Sequence, residues 1–152
     1  MSRYRLLIGL VILGACSLVA LAEGAAWILT IDGEINSATV TYLRRGIHEA
    51  TEAGAGVVIL VLSTPGGTLD AAVESRRILL DATIPTVAHI SREAFSAGAA
   101  LAIACDTILF SPGGVMGAAT PFTVVGQDIR EAPEKVISAT RTLFRATAEA
   151  RG

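Results

Sequence analysis

Along residues 26–152, apolar runs of strand length alternate with segments of helical period, and this alternation narrows the fold more than any other property of the chain. In "AWILTIDGEI" a strand-forming run from Trp27 to Ile31 closes on Asp32-Gly33, a turn pair. "SATVTYLRRGIHEATEAG" carries Val40, Leu43, Ile47 and Ala50 at spacings of three and four, which predicts a helix ended by Gly54. "GVVILVLS" is continuously apolar, the pattern of a strand buried on both faces of a parallel sheet. The pattern continues with a helix in "TLDAAVESRRILLDA", with Leu69, Val73 and Ile78/Leu79 inward, and a strand in "PTVAHIS". A short buried helix in "SAGAALAIACD" and a strand in "DTILFS" follow. A glycine-rich loop, "PGGVMGAATPF", precedes a final amphipathic helix in "APEKVISATRTLFRATAEARG", where Pro133 is tolerated in the first turn. Strands alternating with helices predict an α/β fold of parallel βαβ units with right-handed crossovers.

Composition fits that architecture. With 152 residues the chain suits one domain. Hydrophobic residues make up 52% and aromatics only 5%, so Ala, Val, Ile and Leu must build the core. A net charge of -2 offers no basic face for phosphates, which argues against nucleic-acid binding. The apolar content argues against disorder.

Residues 1–22 stand apart. "MSRYR" is a short basic stretch, "LLIGLVILGACSLVALA" is uncharged and apolar, and Ala20-Leu21-Ala22 fits a small-x-small cleavage site before Glu23. A secretory signal, a retained membrane anchor and lipidation at Cys16 in "LGAC" all remain open. Each exports residues 23–152 or tethers them to a membrane. Cleavage after Ala22 leaves Cys105 without a disulfide partner, and its setting in "AIACD" predicts a small core residue. No Cys/His cluster has metal-ligand spacing, so neither a metal site nor a cofactor is expected.

Three stretches can carry chemistry. Ser96, in "AFSAG", opens a helix. Its hydroxyl can cap that helix or act as a nucleophile with the Ala97 N–H as half of an oxyanion hole. "STPGG" leaves a buried strand directly. Gly66 or Gly67 can supply the second N–H, or the pair can simply form a tight turn. The pattern lacks the GK[ST] ending of a phosphate loop. A nucleophilic serine needs a base. His48 reads as a helix-surface residue and His89 as a strand residue. Lys135 is the only lysine against eleven arginines. Arginine stays protonated, whereas a lysine can become a base if its surroundings disfavour the ammonium form. Lys135 is therefore a candidate base, or else a solvated lysine.

The order and spacing of "STPGG", "AFSAGAALAIACD", "SPGGVMGAATP" and "EKVISATRTLFRATAEARG" resemble the ClpP/crotonase superfamily, a spiral of βαβ units with a parallel sheet. More closely they resemble the membrane-bound Ser-Lys serine proteases of the NfeD family. By position, the resemblance implies Ser96 as nucleophile, Lys135 as general base, and Gly66, Gly67 and Ala97 as the oxyanion hole. "GVMGAATP" then shapes the substrate side. It further implies an exported, membrane-associated endopeptidase with its protease domain on the extracytoplasmic side. Its substrates would be hydrophobic segments of membrane partners of stomatin type, and the chain would form a homo-oligomer. Relatives continue beyond "ARG", so residues 23–152 are expected to be a C-terminally incomplete protease domain. The rival readings are a catalytically inactive scaffold of the same fold and a crotonase-type acyl-CoA enzyme, which needs no serine nucleophile.

Overall fold

The computed structural model describes residues 24–117, 119–125 and 128–152; the expected signal or anchor at 1–22 lies outside them. The elements run β1 (Ala26–Asp32), α1 (Ser37–Glu52), β2 (Val57–Thr64), α2 (Leu69–Leu80), β3 (Thr86–Phe95), α3 (Ala97–Ala104), β4 (Thr107–Phe110), β5 (Val115–Gly117), β6 (Phe122–Val125), β7 (Asp128–Glu131) and α4 (Glu134–Arg151). The main sheet has the order β1-β2-β3-β4, every pairing parallel. The expected βαβ succession is present.

One irregularity shapes everything around the site. Leu62 pairs with Ile90 but Thr64 pairs with Ala94, so the register between β2 and β3 shifts. Beyond the shift, Glu93–Phe95 of β3 pair with β5, whereas Val87–Ile90 pair with β4. The stretch expected to be a glycine-rich loop thus contributes a short strand, and β3 runs past Ser91 to Phe95. A hairpin of β6 and β7, also unforeseen, follows.

The core lies on one face of the sheet. Leu29, Ile31, Leu60, Leu62, Ala88 and Ile90 point inward and meet Leu43, Ile47 and Ala50 of α1, Leu79 of α2 and Leu101 of α3. Full burial of each large aliphatic side chain contributes about 1.5–3 kcal/mol. Ile28 and Leu109, whose side chains lie on the opposite face, are exposed, and β2 alternates between buried and half-buried positions. Burial of β2 on both faces, expected from its unbroken apolar run, is therefore corrected: among the described residues the helices cover one face only.

The expected inward face of α2 is also corrected. Leu69 and Val73 are 42% and 41% exposed, while Ala71, Ala72, Ser75 and Leu79 are buried. Small residues let α2 approach its neighbours closely, and that contact decides the buried face more strongly than side-chain size. Likewise α3 has hardly a polar side chain to present to water, and seven of its eight residues are buried.

The far end of α4 is tied down by polar contacts. Arg151 donates to the carbonyls of Leu79 (2.7 Å) and Ala104 (2.8 Å) and to Asp106 (2.6 Å). Those carbonyls end α2 and α3, where helix carbonyls lack internal partners and a cation is favoured. Arg76 also donates to Thr147.

Candidate active site

The "TPGG" segment leaves β2 under tight constraint. Thr64 is fully buried, and its Oγ1 accepts from the Gly66 N–H (3.1 Å) and donates to the Gly66 carbonyl (3.3 Å). Gly66 adopts φ +113, and a Cβ there would approach Ser96 Cβ to 2.8 Å and the Phe95 carbonyl to 3.0 Å. A Cβ on Gly67 would strike the Ile35 carbonyl. The connection after β1 is stitched to the same loop: Gly33 N–H donates to Ser63 O (2.9 Å), Ile35 N–H to Gly66 O (2.8 Å) and Thr68 N–H to Ile35 O (3.0 Å). Asn36 then caps α1 through a capping box, and Thr68 caps α2.

Ser96 is the single residue between β3 and α3. It holds φ 49 and ψ -113, the one positive φ outside glycine among the described residues. Its N–H donates to Gly117 O (3.1 Å) and its carbonyl accepts from Ala100 N–H (3.2 Å). A capping serine takes extended dihedrals; Ser96 does not, and its hydroxyl makes no cap bond. The capping role open from the sequence is thereby set aside. A non-glycine residue in such a region costs on the order of 1–3 kcal/mol.

Ser96, Ala97, Gly66 and Gly67 all line one cavity of about 430 Å³. The starts of α2 and α3, at Thr68-Leu69 and Ser96-Ala97, both border it, and helix N-termini favour anions. The Gly66 N–H is engaged by Thr64. Those of Gly67 and Ala97 donate to no other group among the described residues. Leu69, Ala72, Phe122, Leu143 and Phe144 supply apolar wall, and Thr140 and Glu34 polar groups.

The other predicted residues lie elsewhere. Lys135 is exposed in the first turn of α4 and does not line the cavity. Nine residues separate it from Phe144, about two and a half turns, which puts the two on opposite sides of α4. His48 is exposed on α1. His89 Nε2 lies 2.9 Å from Ser111 Oγ, outside the cavity. Cys105 is buried, and desolvation pushes its thiol up to about 12. Sequence reasoning missed Glu34, Thr64 and Phe144. For Thr64 a signal existed: a threonine at the end of a buried strand just before Pro-Gly-Gly is placed to bond the turn it opens.

Known proteins share this fold. A family model described as the NfeD1b N-terminal domain matches residues 25–152. The membrane protein NfeD1b of Bacillus subtilis (strain 168) is 32% identical over 93 residues, 61% of this chain and 21% of the relative. The membrane-bound protease PH1510 of Pyrococcus horikoshii is 30% identical over 137 residues, 87% of this chain and 31% of the relative. The chain thus corresponds to under a third of the length of either relative. Two solved structures of the 1510-N membrane-bound stomatin-specific protease, a serine-to-alanine variant and a lysine-to-alanine variant with a substrate peptide, each show 28% identity and a TM-score of 0.79. Both alignments cover 85% of this chain, and 65% and 61% of those chains. ClpP1 of Listeria monocytogenes, 14% identical with a TM-score of 0.56 over 82% of this chain and 71% of its own, shares the fold. With the family model spanning nearly all the described residues and the parallel sheet matching those structures, the chain belongs to the NfeD1b N-terminal domain family and has a ClpP-like α/β fold.

Proposed function

We propose that this chain is the catalytic part of a membrane-associated, exported serine endopeptidase with Ser96 as nucleophile, acting on the extracytoplasmic side. The observation that carries this is the backbone of Ser96: a strained one-residue turn between strand and helix, packed against Gly66 and open to a cavity where two helices begin. Strain of this kind persists where the surrounding structure enforces it, and clusters at functional sites. The similar 1510-N protease was solved with a serine replaced and with a lysine replaced beside a substrate peptide. That supports a Ser-Lys pair here, with Lys135 as base, and a stomatin-like membrane protein as substrate. Self-association into a homo-oligomer, which sedimentation velocity would read, accompanies this assignment.

The chemistry is acyl transfer. Lys135, as general base, takes the proton of the Ser96 hydroxyl while Oγ attacks a peptide carbonyl. The oxyanion accepts from the N–H groups of Gly67 and Ala97, with Gly66 holding the loop against the nucleophile. Lys135 returns the proton to the leaving amine, and water cleaves the acyl-enzyme by the same route. Lys135 has to turn inward for this. The start of α4 gives it latitude, because Pro133 provides no side-chain cap and the first turn rests on Val136 and Ile137 N–H bonds to the Pro133 carbonyl.

The exposed position of Lys135 favours a second reading, a peptide-binding domain without catalysis. Labelling of the 152-residue chain with a fluorophosphonate probe separates the two. The hydrolase labels and Ser96→Ala does not; a folded wild-type chain that fails to label is the binding domain.

A further inference from the structure

We infer that Glu34 makes this cleft selective for a basic side chain in an otherwise apolar peptide; the inference rests on the assignment of the cavity as a peptide site. Glu34 is the one ionisable side chain among the residues lining the cavity, whose walls are otherwise apolar, small or hydroxyl-bearing. Its backbone is fixed. Gly33 and Ile35 on either side each donate to the strand-and-loop segment Ser63–Gly66, and Ile35 is fully buried. No basic group among the described residues pairs with the Glu34 carboxylate, whereas Asp32, two residues earlier, is engaged by Arg92 at 3.3 Å. An unpaired carboxylate on the rim of an apolar cleft attracts a cation more strongly than one in open water, because the low-polarity wall screens it less. Leu69 and Phe144 border the same cavity and accept aliphatic or aromatic neighbours of that basic residue.

The test uses the full chain in detergent micelles with Ser96→Ala, so that bound peptide is not turned over. N-acetylated, C-amidated peptides rich in leucine and alanine carry one lysine or one norleucine at each position in turn, and fluorescence anisotropy reads their binding. At one register lysine should bind about three- to tenfold more tightly than norleucine. Glu34→Gln, alongside Ser96→Ala, should abolish that difference, and Glu34→Arg should reverse it in favour of a glutamate peptide. Equal binding at every position, a lysine preference that survives Glu34→Gln, or no binding of any peptide overturns the inference. Fluorophosphonate labelling of the wild-type chain is measured in parallel. A lysine preference without labelling supports the inference while removing hydrolysis; labelling without a preference overturns the inference and leaves hydrolysis standing.

Discussion

Ser96 trades stability for position. Its φ of 49 suits glycine, so Ser96→Gly removes backbone strain while slightly loosening the unfolded chain. The substitution should raise stability by about 0.5–2 kcal/mol and abolish fluorophosphonate labelling, with urea unfolding and labelling read on the same sample. Gly66→Ala works in the opposite sense. Its Cβ would meet Ser96 at 2.8 Å from a backbone at φ +113, so it should cost about 1–3 kcal/mol and suppress labelling together. Cys105 reports on the core. Desolvation raises its thiol to about 12, above the unfolded value of roughly 8.5. The folded state therefore holds the proton longer, and the associated stability is complete below about pH 8.5 and lost as pH rises toward 12. Urea titrations across that window should show the decline for wild type and a shallower one for Cys105→Ala.

Arg151 joins the ends of α2, α3 and α4. Arg151→Ala leaves the carbonyls of Leu79 and Ala104 and the Asp106 carboxylate without that partner, and should cost about 2–4 kcal/mol by chemical denaturation. Since α4 supplies Thr140, Leu143 and Phe144 to the cavity, labelling should slow as well. Burial alone would raise the Asp106 carboxyl, but the N–H and hydroxyl of Thr86 and the Arg151 guanidinium outweigh it and hold the group below the ordinary carboxylate range. Its contribution is thus present above about pH 4 and lost as pH falls below that; Asp106→Asn should flatten the acid limb of stability against pH. Much of this level was legible in the sequence. The alternation of apolar runs and helical spacing located β1 to β4 and all four helices, because runs of strand length and segments of helical period differ in their spacing, although the spacing did not give the buried face of α2 and β4 has no fully buried residue. β5 was not legible: it is three residues long, and only Val115 and Met116 stand between Gly114 and Gly117, so only pairing with the extended end of β3 makes it a strand. The outward turn of Leu69 and Val73 was hidden for a related reason, since small residues at Ala71, Ala72 and Ser75 set the packing face.

At the scale of the described residues, a parallel sheet is clad on one face and a small antiparallel hairpin, β6-β7, follows it; the candidate site lies at the ends of β2 and β3, where two helices start. That placement is common to open α/β sheets, whose strand ends and helix N-termini gather free N–H groups. Ser96, Gly66, Gly67 and Ala97 could be named from the sequence because their neighbours in the chain create the geometry they need. Lys135 is a candidate base because it is the one lysine of the chain, and the resemblance then singles it out by position, whereas Glu34 could not be found at all; neither belongs to a local pattern that encodes where its side chain goes. Activation of Ser96 by Lys135, as proposed, is read most directly by the rate of fluorophosphonate labelling as a function of pH. The rate should rise with pH in the wild-type chain, collapse in Lys135→Ala and not be restored by Lys135→Arg, whose side chain stays protonated. Labelling of Lys135→Ala at the wild-type rate with the same pH profile would contradict that activation.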